Sequence, residues 1–169
     1  MGIVFKADEV FEMAEQIERN GVKYYHRASE IVDASDVRDK LRYLEKMEKQ
    51  HEKVFARMRH YLPTVNRLDV VPDPDNQAVL YLHALASSHV FDMSADPLEK
   101  LTGKESLQDI FELALQFEKD SIVFFLGIQE IVPDRLGKEE ISRIIKEEMA
   151  HVTLLSSQLE SLKGKAART

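Results

Sequence analysis

Six residues with metal-binding side chains recur in this sequence as two copies of one pattern. Each copy is a single glutamate followed thirty residues later by Glu-x-x-His, and the second copy begins one hundred residues after the first. The six residues are Glu18, Glu48 and His51 in the first copy and Glu118, Glu148 and His151 in the second. The segment 14–25 also aligns without a gap on the segment 114–125, with Ala, Gln and Glu at matching positions. A single Glu-x-x-His is often a surface pair, whereas this repetition indicates an internal repeat that carries a ligand set.

These residue types and spacings favour a site for two metal ions. Side chains three residues apart lie on one face of a helix, with Cβ atoms about 5–6 Å apart, so Glu48 and His51 can bind one ion. Four carboxylates that converge in an apolar core would repel one another and take up protons. Two divalent cations would neutralise them, and the two histidines would bind as neutral ligands. Oxygen-rich ligation with one imidazole per metal favours iron, with manganese as the alternative. The chain has no cysteine, which excludes thiolate-bound zinc and cysteine-ligated iron–sulfur clusters.

Four long helices are predicted to position these residues, because apolar residues recur at alternating steps of three and four. The predicted ranges are 7–31, 36–62, 106–131 and 138–162. Residues 33–36 form a tight turn with capping candidates, and Lys163-Gly164 is the predicted stop of the last helix. A long crossover, 63–104, is predicted to carry shorter helices at 77–90 and 95–101.

The inward-facing stripe of each long helix is apolar except at its centre. In the first helix it comprises Phe11, Ala14, Glu18, Gly21, Tyr25, Ala28 and Val32, and each of the other stripes is likewise interrupted at mid-helix. Short connections make the helices of each half antiparallel neighbours, so Glu18 should meet Glu48 and His51 at one level. We therefore predict an all-α fold: an antiparallel four-helix bundle of two pseudo-symmetric hairpins, with a long crossover carrying a short extra helix.

Other polar residues have plainer explanations. Several further glutamates are expected on solvated faces, including Glu12, Glu15, Glu52 and Glu147. Tyr25, two turns after Glu18, is a candidate catalytic residue that would donate a hydrogen bond to a ligand carboxylate or quench a radical. A core aromatic is the alternative. Its counterpart Phe125 has no hydroxyl, so packing at this position does not require one. His83 and His89, in the crossover, are expected at the surface or in the core rather than as ligands.

Length and composition fit a single domain spanning 1–169. The chain has 169 residues, of which 44% are hydrophobic and 31% charged. Its net charge of −7 argues against general affinity for nucleic acid. No stretch reaches about 18 consecutive apolar residues, and the N-terminus has no basic-then-apolar leader, so no membrane association is expected. The absence of cysteine is compatible with a reducing compartment, and we expect a cytoplasmic protein.

A glutamate on each of two helices plus Glu-x-x-His on each of the other two is the pattern of ferritin-like di-iron carboxylate bundles. Within that superfamily the chain resembles the rubrerythrin group over nearly its whole length. The resemblance implies that Glu48 and Glu148 bridge the metals. It also implies that the remaining ligands complete one metal each, Glu18 with His51 and Glu118 with His151.

Two features depart from the rubrerythrin pattern. The chain lacks the four-cysteine rubredoxin domain that feeds electrons to the di-iron site in that group. It also lacks the additional glutamate, tied there to peroxide reduction, that lies one turn from the third-helix ligand. The corresponding positions here are Leu115 and Ser121.

The resemblance implies a di-iron, or mixed iron and manganese, oxidoreductase that reduces peroxide or dioxygen with electrons from a separate donor protein. One alternative is a ferroxidase or iron-binding protein. Another is a bundle whose metals only stabilise the fold. By analogy we expect a homodimer. The crossover offers apolar residues for such an interface, or for covering the bundle: Val79, Leu80, Leu82, Leu85 and Phe91.

Overall fold

Within the residues that the structure describes, the chain folds into five α-helices. The structure is a computed structural model and describes residues 7–62, 77–87, 99 and 101–166. The helices are α1 (Ala7–Ile31), α2 (Ser35–His60), α3 (Gln77–Ser87), α4 (Leu107–Ile131) and α5 (Lys138–Ala166). No strand occurs in these ranges, and the predicted all-α class is confirmed. None of the described helices is both long and apolar enough to span a bilayer.

Two helical hairpins form the bundle. Residues 32–34 join α1 to α2, and residues 132–137 join α4 to α5. The second connection contains a 3-10 turn, Asp134–Leu136. It ends at Gly137, whose φ of 104° lies in the left-handed region that glycine adopts without steric cost. The helices of each hairpin pack against each other, and contacts of α1 with α4 and of α2 with α5 join the hairpins. This is the predicted four-helix bundle, and α3, from the crossover, packs on α4.

The apolar core is divided into two clusters that lie on opposite sides of a polar layer. The first cluster includes Phe11, Phe55, Phe125, Ile128 and Ile144. The second includes Ala28, Leu41, Leu44, Phe111 and Leu155. On each of the four long helices the two clusters occupy opposite halves, and the buried residues between them are polar. The middles of all four helices therefore lie at one level.

Both ends of α2 differ from the prediction. The helix begins at Ser35, and its N-cap is Ala34, which provides no side-chain hydrogen bond. It ends at His60, because Tyr61 and Leu62 already form a turn. By contrast, Ser106 caps α4 through a reciprocal pair of hydrogen bonds with Asp109, which satisfies backbone N–H groups that have no partner within the helix.

The predicted stop of the last helix at Lys163-Gly164 is wrong, because α5 continues to Ala166. A glycine ends a helix when it takes a left-handed backbone conformation. The described glycines with positive φ are Gly103 and Gly137, and Gly164 is not among them. In helical geometry a glycine costs only about 1 kcal/mol relative to alanine, so the helix passes through it.

The crossover is described only in part. α3 covers 77–87 of the predicted 77–90, and the predicted helix at 95–101 lies outside the described residues except for positions 99 and 101. Leu82 and Leu85 pack against the first apolar cluster, so they cover the bundle. The side chains of Val79 and His83 lie outside the described part, as do the residues His89 and Phe91.

Candidate metal centre

The polar layer between the two apolar clusters contains all six residues of the repeated pattern. Glu18 lies on α1, Glu48 and His51 lie on α2, Glu118 lies on α4, and Glu148 and His151 lie on α5. All six are buried, with exposed fractions between 0 and 4%. The mid-helix positions of the four stripes thus converge at one place in the core, as the spacing predicts.

The ligand atoms of these residues fall into two overlapping groups. One group is Glu18, Glu48, His51 and Glu148, and the other is Glu48, Glu118, Glu148 and His151. Within each group, one ligand atom of every residue lies within 4.8 Å of those of the others. Glu48 and Glu148 belong to both groups, as expected for carboxylates shared by two ions. This arrangement indicates a binuclear metal site.

Glu148 lies between the two imidazole rings. Its Oε1 is 2.8 Å from His51 Nδ1, and its Oε2 is 2.8 Å from His151 Nδ1. The two rings are stacked at 25°, with centroids 5.9 Å apart. The other three carboxylates of the repeated pattern are farther from the ring nitrogens: Glu18 Oε2 is 3.7 Å from His51 Nδ1, and Glu48 Oε1 and Glu118 Oε2 are each 3.4 Å from His151 Nδ1. Both histidines therefore present Nδ1 to the carboxylates.

The crowding of buried carboxylates favours positive charge in the layer. Burial raises the pKa of Glu18 well above its usual value, and the charges of Glu48 and Glu148 raise it further. Burial, followed by the charges of Glu48 and Glu118, raises the pKa of Glu148 to about 8. Burial acts in the same direction on Glu118, but hydrogen bonds with Glu148 and His151 outweigh it and lower the pKa of that carboxyl. A metal-free layer therefore holds protons, which a divalent cation would displace.

Several buried oxygens of the layer lack a well-aligned hydrogen-bond donor among the described residues. Within the described ranges, both carboxylate oxygens of Glu18 and the Oε1 atoms of Glu48 and Glu148 are buried without a hydrogen-bond partner. A buried carboxylate is costly unless it meets donors or a cation. Burial alone would lower the pKa of His51, yet the neighbouring carboxylates of Glu148 and Glu18 raise it to about 12. The donor set fits two divalent cations, which would occupy these lone pairs and replace the protons.

Tyr25 contacts the layer from α1. Its hydroxyl donates a hydrogen bond to Glu118 Oε1, across the interface between the two hairpins. Burial raises the pKa of this phenol well above its usual value, and the charges of Glu118 and Glu48 act in the same direction. The hydroxyl therefore stays protonated and remains a donor. Its counterpart Phe125 packs against Phe55 with ring centroids 5.0 Å apart, so the two halves differ at this position.

Gly21 leaves room for one of the shared carboxylates. A Cβ atom at Gly21 would lie 2.7 Å from Glu48 Oε2, closer than such atoms approach in real structures, and 3.1 Å from its Cγ, which is a tight contact. The matching position in the second half is Ser121, whose Oγ donates to Phe117 O in its own helix at 2.9 Å. The space for Glu48 therefore depends on a residue without a side chain.

Two of the glutamates expected on solvated faces are not simply solvated. Glu147 Oε2 lies 2.7 Å from His51 Nε2. Glu15 is only 7% exposed, and it pairs with Arg19 at 3.0 Å and with Arg59 at 3.6 Å. Adjacent residues in a helix point in different directions, so the stripe position of Glu148 does not predict that Glu147 contacts His51. The contact between Glu147 and His51 arises because α2 packs against α5. The sequence feature that could have indicated it is the difference between Glu147 and its counterpart Met47 in the first half.

The fold is related to that of a solved protein. A crystal structure from Thermotoga maritima, provisionally described as a ferritin-like diiron-carboxylate protein, aligns with a TM-score of 0.67 at 16% sequence identity. The alignment covers 93% of this chain and 96% of that chain. No family model and no curated protein matches this sequence. At this identity the likeness establishes the fold, which is ferritin-like, and membership of the rubrerythrin-like group stays a prediction.

Proposed function

We propose that this chain is a di-iron, or mixed iron and manganese, carboxylate oxidoreductase that reduces peroxide or dioxygen with electrons from a separate donor protein. The observation that carries the proposal is the pair of overlapping ligand groups that share Glu48 and Glu148. The bound metals would supply electrons and Lewis acidity. Four protein donors for each ion leave positions for a small oxidant, since iron in carboxylate and imidazole sites accepts further ligands.

The chain's own residues have separate tasks in this proposal. Glu48 and Glu148 would hold the two ions together. Tyr25 would hold Glu118 in place through its hydrogen bond, because its raised pKa keeps the hydroxyl protonated. The two apolar clusters on either side of the layer exclude water from the ligands.

The composition is consistent with a separate electron donor. Reduction of one peroxide molecule consumes two electrons and two protons, breaks the O–O bond and yields two water molecules. Continued turnover therefore needs a supply of electrons. The chain contains no cysteine that could bind an iron–sulfur cluster or a rubredoxin iron. We therefore assign this supply to another protein.

The test is anaerobic loading with iron(II), elemental analysis and a peroxide challenge followed by optical spectroscopy. We expect two metal ions per chain, rapid oxidation by peroxide and recovery when a reductant is added. Glu148→Gln should abolish binding of the pair, whereas Glu52→Gln, a matched control at a carboxylate that pairs with Arg19 at 2.9 Å, should not. Absence of metal at every loading would refute the proposal.

A structural role for the metals is the second candidate, and the burial of the ligands favours it. Glu18 and Glu148 are both 0% exposed, so bound ions would lie deep in the core. In that case the loaded protein would contain two metal ions that peroxide does not oxidise. It would also lose much of its thermal stability when the metals are removed. Loading with iron far beyond two per chain would instead favour ferroxidation for iron storage.

We also propose that the chain belongs to the rubrerythrin-like group and acts in the cytoplasm as a homodimer. The repeated ligand pattern supports the assignment to the rubrerythrin-like group, and the absence of cysteine is consistent with the cytoplasm. Two exposed apolar residues support the homodimer: Leu80 is 52% exposed and Leu126 is 43% exposed. Light scattering coupled to gel filtration tests it, and a monomer at micromolar concentration would refute it.

A further inference from the structure

The two halves of the centre differ in what holds the outer nitrogen of each histidine. On one side, Glu147 Oε2 lies 2.7 Å from His51 Nε2, the distance of a charge-assisted hydrogen bond. The ring of His51 is buried, whereas the side chain of Glu147 is 36% exposed. Since His51 turns Nδ1 towards Glu18 and Glu148, its Nε2–H is the group that donates to Glu147.

On the other side, the described part of the chain provides no equivalent acceptor for His151. Its Nε2 is buried and has no hydrogen-bond partner among the residues that the structure describes. The position that corresponds to Glu147 in the first half is Met47, which is also partly buried but carries no carboxylate. Tyr43 lies against the ring of His151 edge-on, with centroids 6.5 Å apart. The centre is therefore asymmetric at this contact, as it also is at Tyr25 and its counterpart Phe125.

A carboxylate that accepts the outer N–H of a metal-binding histidine fixes the tautomer and orientation of the ring and makes the ligating nitrogen more basic. We propose that Glu147 is a positioning residue that makes the His51 side of the centre the tighter of two inequivalent metal sites. This inference rests on the proposed metal centre, to which it adds an order of filling. The first ion binds with Glu18 and His51, and the second with Glu118 and His151.

The test is an anaerobic titration of the metal-free protein with cobalt(II), followed by absorption and by calorimetry. Wild-type protein is expected to bind two ions in steps of unequal affinity. Glu147→Ala should weaken the tighter step by about 10–100-fold, the usual effect of removing such a partner, and should leave the weaker step unchanged. In Glu147→Gln the affinity of the tighter step should lie between those of the wild type and Glu147→Ala, because the amide oxygen still accepts a hydrogen bond but carries no charge.

Glu52→Gln is the matched control, because Glu52 follows His51 directly, is 29% exposed and pairs with Arg19. It removes the same charge from a residue next to a ligand histidine and should leave both steps unchanged. Proton NMR of the cobalt-loaded protein supplies a second readout, since each histidine gives an exchangeable, paramagnetically shifted N–H resonance. Only one of these two resonances should move in Glu147→Gln.

Failure of the inference is distinct from failure of the metal centre. Two ions bound with equal affinity, or an equal effect of Glu147→Ala on both steps, would overturn the asymmetry and leave the binuclear site standing. An effect of Glu52→Gln as large as that of Glu147→Gln would also overturn it, because net charge would then explain both. No cobalt bound by the wild type would refute the centre and the inference together.

Discussion

Substitution of Gly21 by alanine should separate the stability of the fold from the binding of metal. Gly21 lies in the middle of α1, where alanine is favoured over glycine by about 1 kcal/mol. The added Cβ, however, would lie 2.7 Å from Glu48 Oε2. Relief to an ordinary contact of about 3.4 Å requires the carboxylate to move by about 0.7 Å.

That movement is large for a metal ligand. Ligand distances in a metal site are held to within about 0.2 Å, so the displaced carboxylate cannot keep its bonds. Glu48 belongs to both ligand groups, and the loss should affect both ions. We expect Gly21→Ala to weaken metal binding at least tenfold, equivalent to about 1.4 kcal/mol. The metal-free protein should keep its free energy of unfolding to within about 1 kcal/mol, because the gain in helix propensity offsets the shift of a flexible side chain.

The assay combines urea unfolding in the presence of a chelator with anaerobic titration by iron(II). Ser121→Ala is the matched control, since it changes the corresponding position of α4 without adding a Cβ and removes only a hydroxyl bonded within its own helix. It should bind metal like the wild type. If Gly21→Ala bound two ions as tightly as the wild type, the assignment of Glu48 as a shared ligand would be wrong.

Three further predictions concern the metal-free and loaded states. Tyr25→Phe should lower the free energy of unfolding of the metal-free protein by about 1–3 kcal/mol, because a buried oxygen of Glu118 loses its donor; an unchanged urea midpoint would contradict this. The metal-free protein should also lose stability as pH rises from about 5 to 8. The pKa of Glu148 is raised from 4.5 to about 8, so in this window the folded state holds a proton that the unfolded state has lost. The raised pKa of His51 acts in the same direction above 6.5, and a urea midpoint that increased with pH would exclude this account. Finally, metal at a hundredfold excess over Kd should add about 2.7 kcal/mol per site, and a scanning measurement that found no rise in Tm would contradict binding to the folded state.

The sequence predicted the placement of the six polar residues because two periodicities coincide. The helical period puts Glu18, Glu48, Glu118 and Glu148 on inward faces, and the hundred-residue repeat puts them at one level. Both ends of α1 also agree with the prediction of 7–31, because small and apolar stripe residues continue from its centre up to the turn at 33–36. Tyr25 was predicted with two alternative roles, and the structure places its hydroxyl on Glu118.

Features that depend on a neighbouring helix were not predictable in this way. Glu147 lies at the edge of the inward stripe of α5 and contacts His51 because α2 packs beside it. Glu15 is buried because two arginines, one of them from α2, cover it. Helix ends were also uncertain, because a serine or glycine allows a cap or stop without requiring one, as Ser35 and Gly164 illustrate.

The position of the polar layer argues that its residues are there to bind ions rather than to support the fold. Two apolar clusters already pack the bundle on both sides, and a well-packed apolar layer between them would usually stabilise a core at least as well as buried charges do. The layer is also poorly satisfied by protein donors. Tyr25 donates a hydrogen bond to one oxygen of Glu118, whereas neither oxygen of Glu18 has a hydrogen-bond partner in the described part of the chain. Four negative carboxylates and two neutral imidazoles are balanced by two divalent cations, and such ions would occupy the same lone pairs that the protein leaves unpaired.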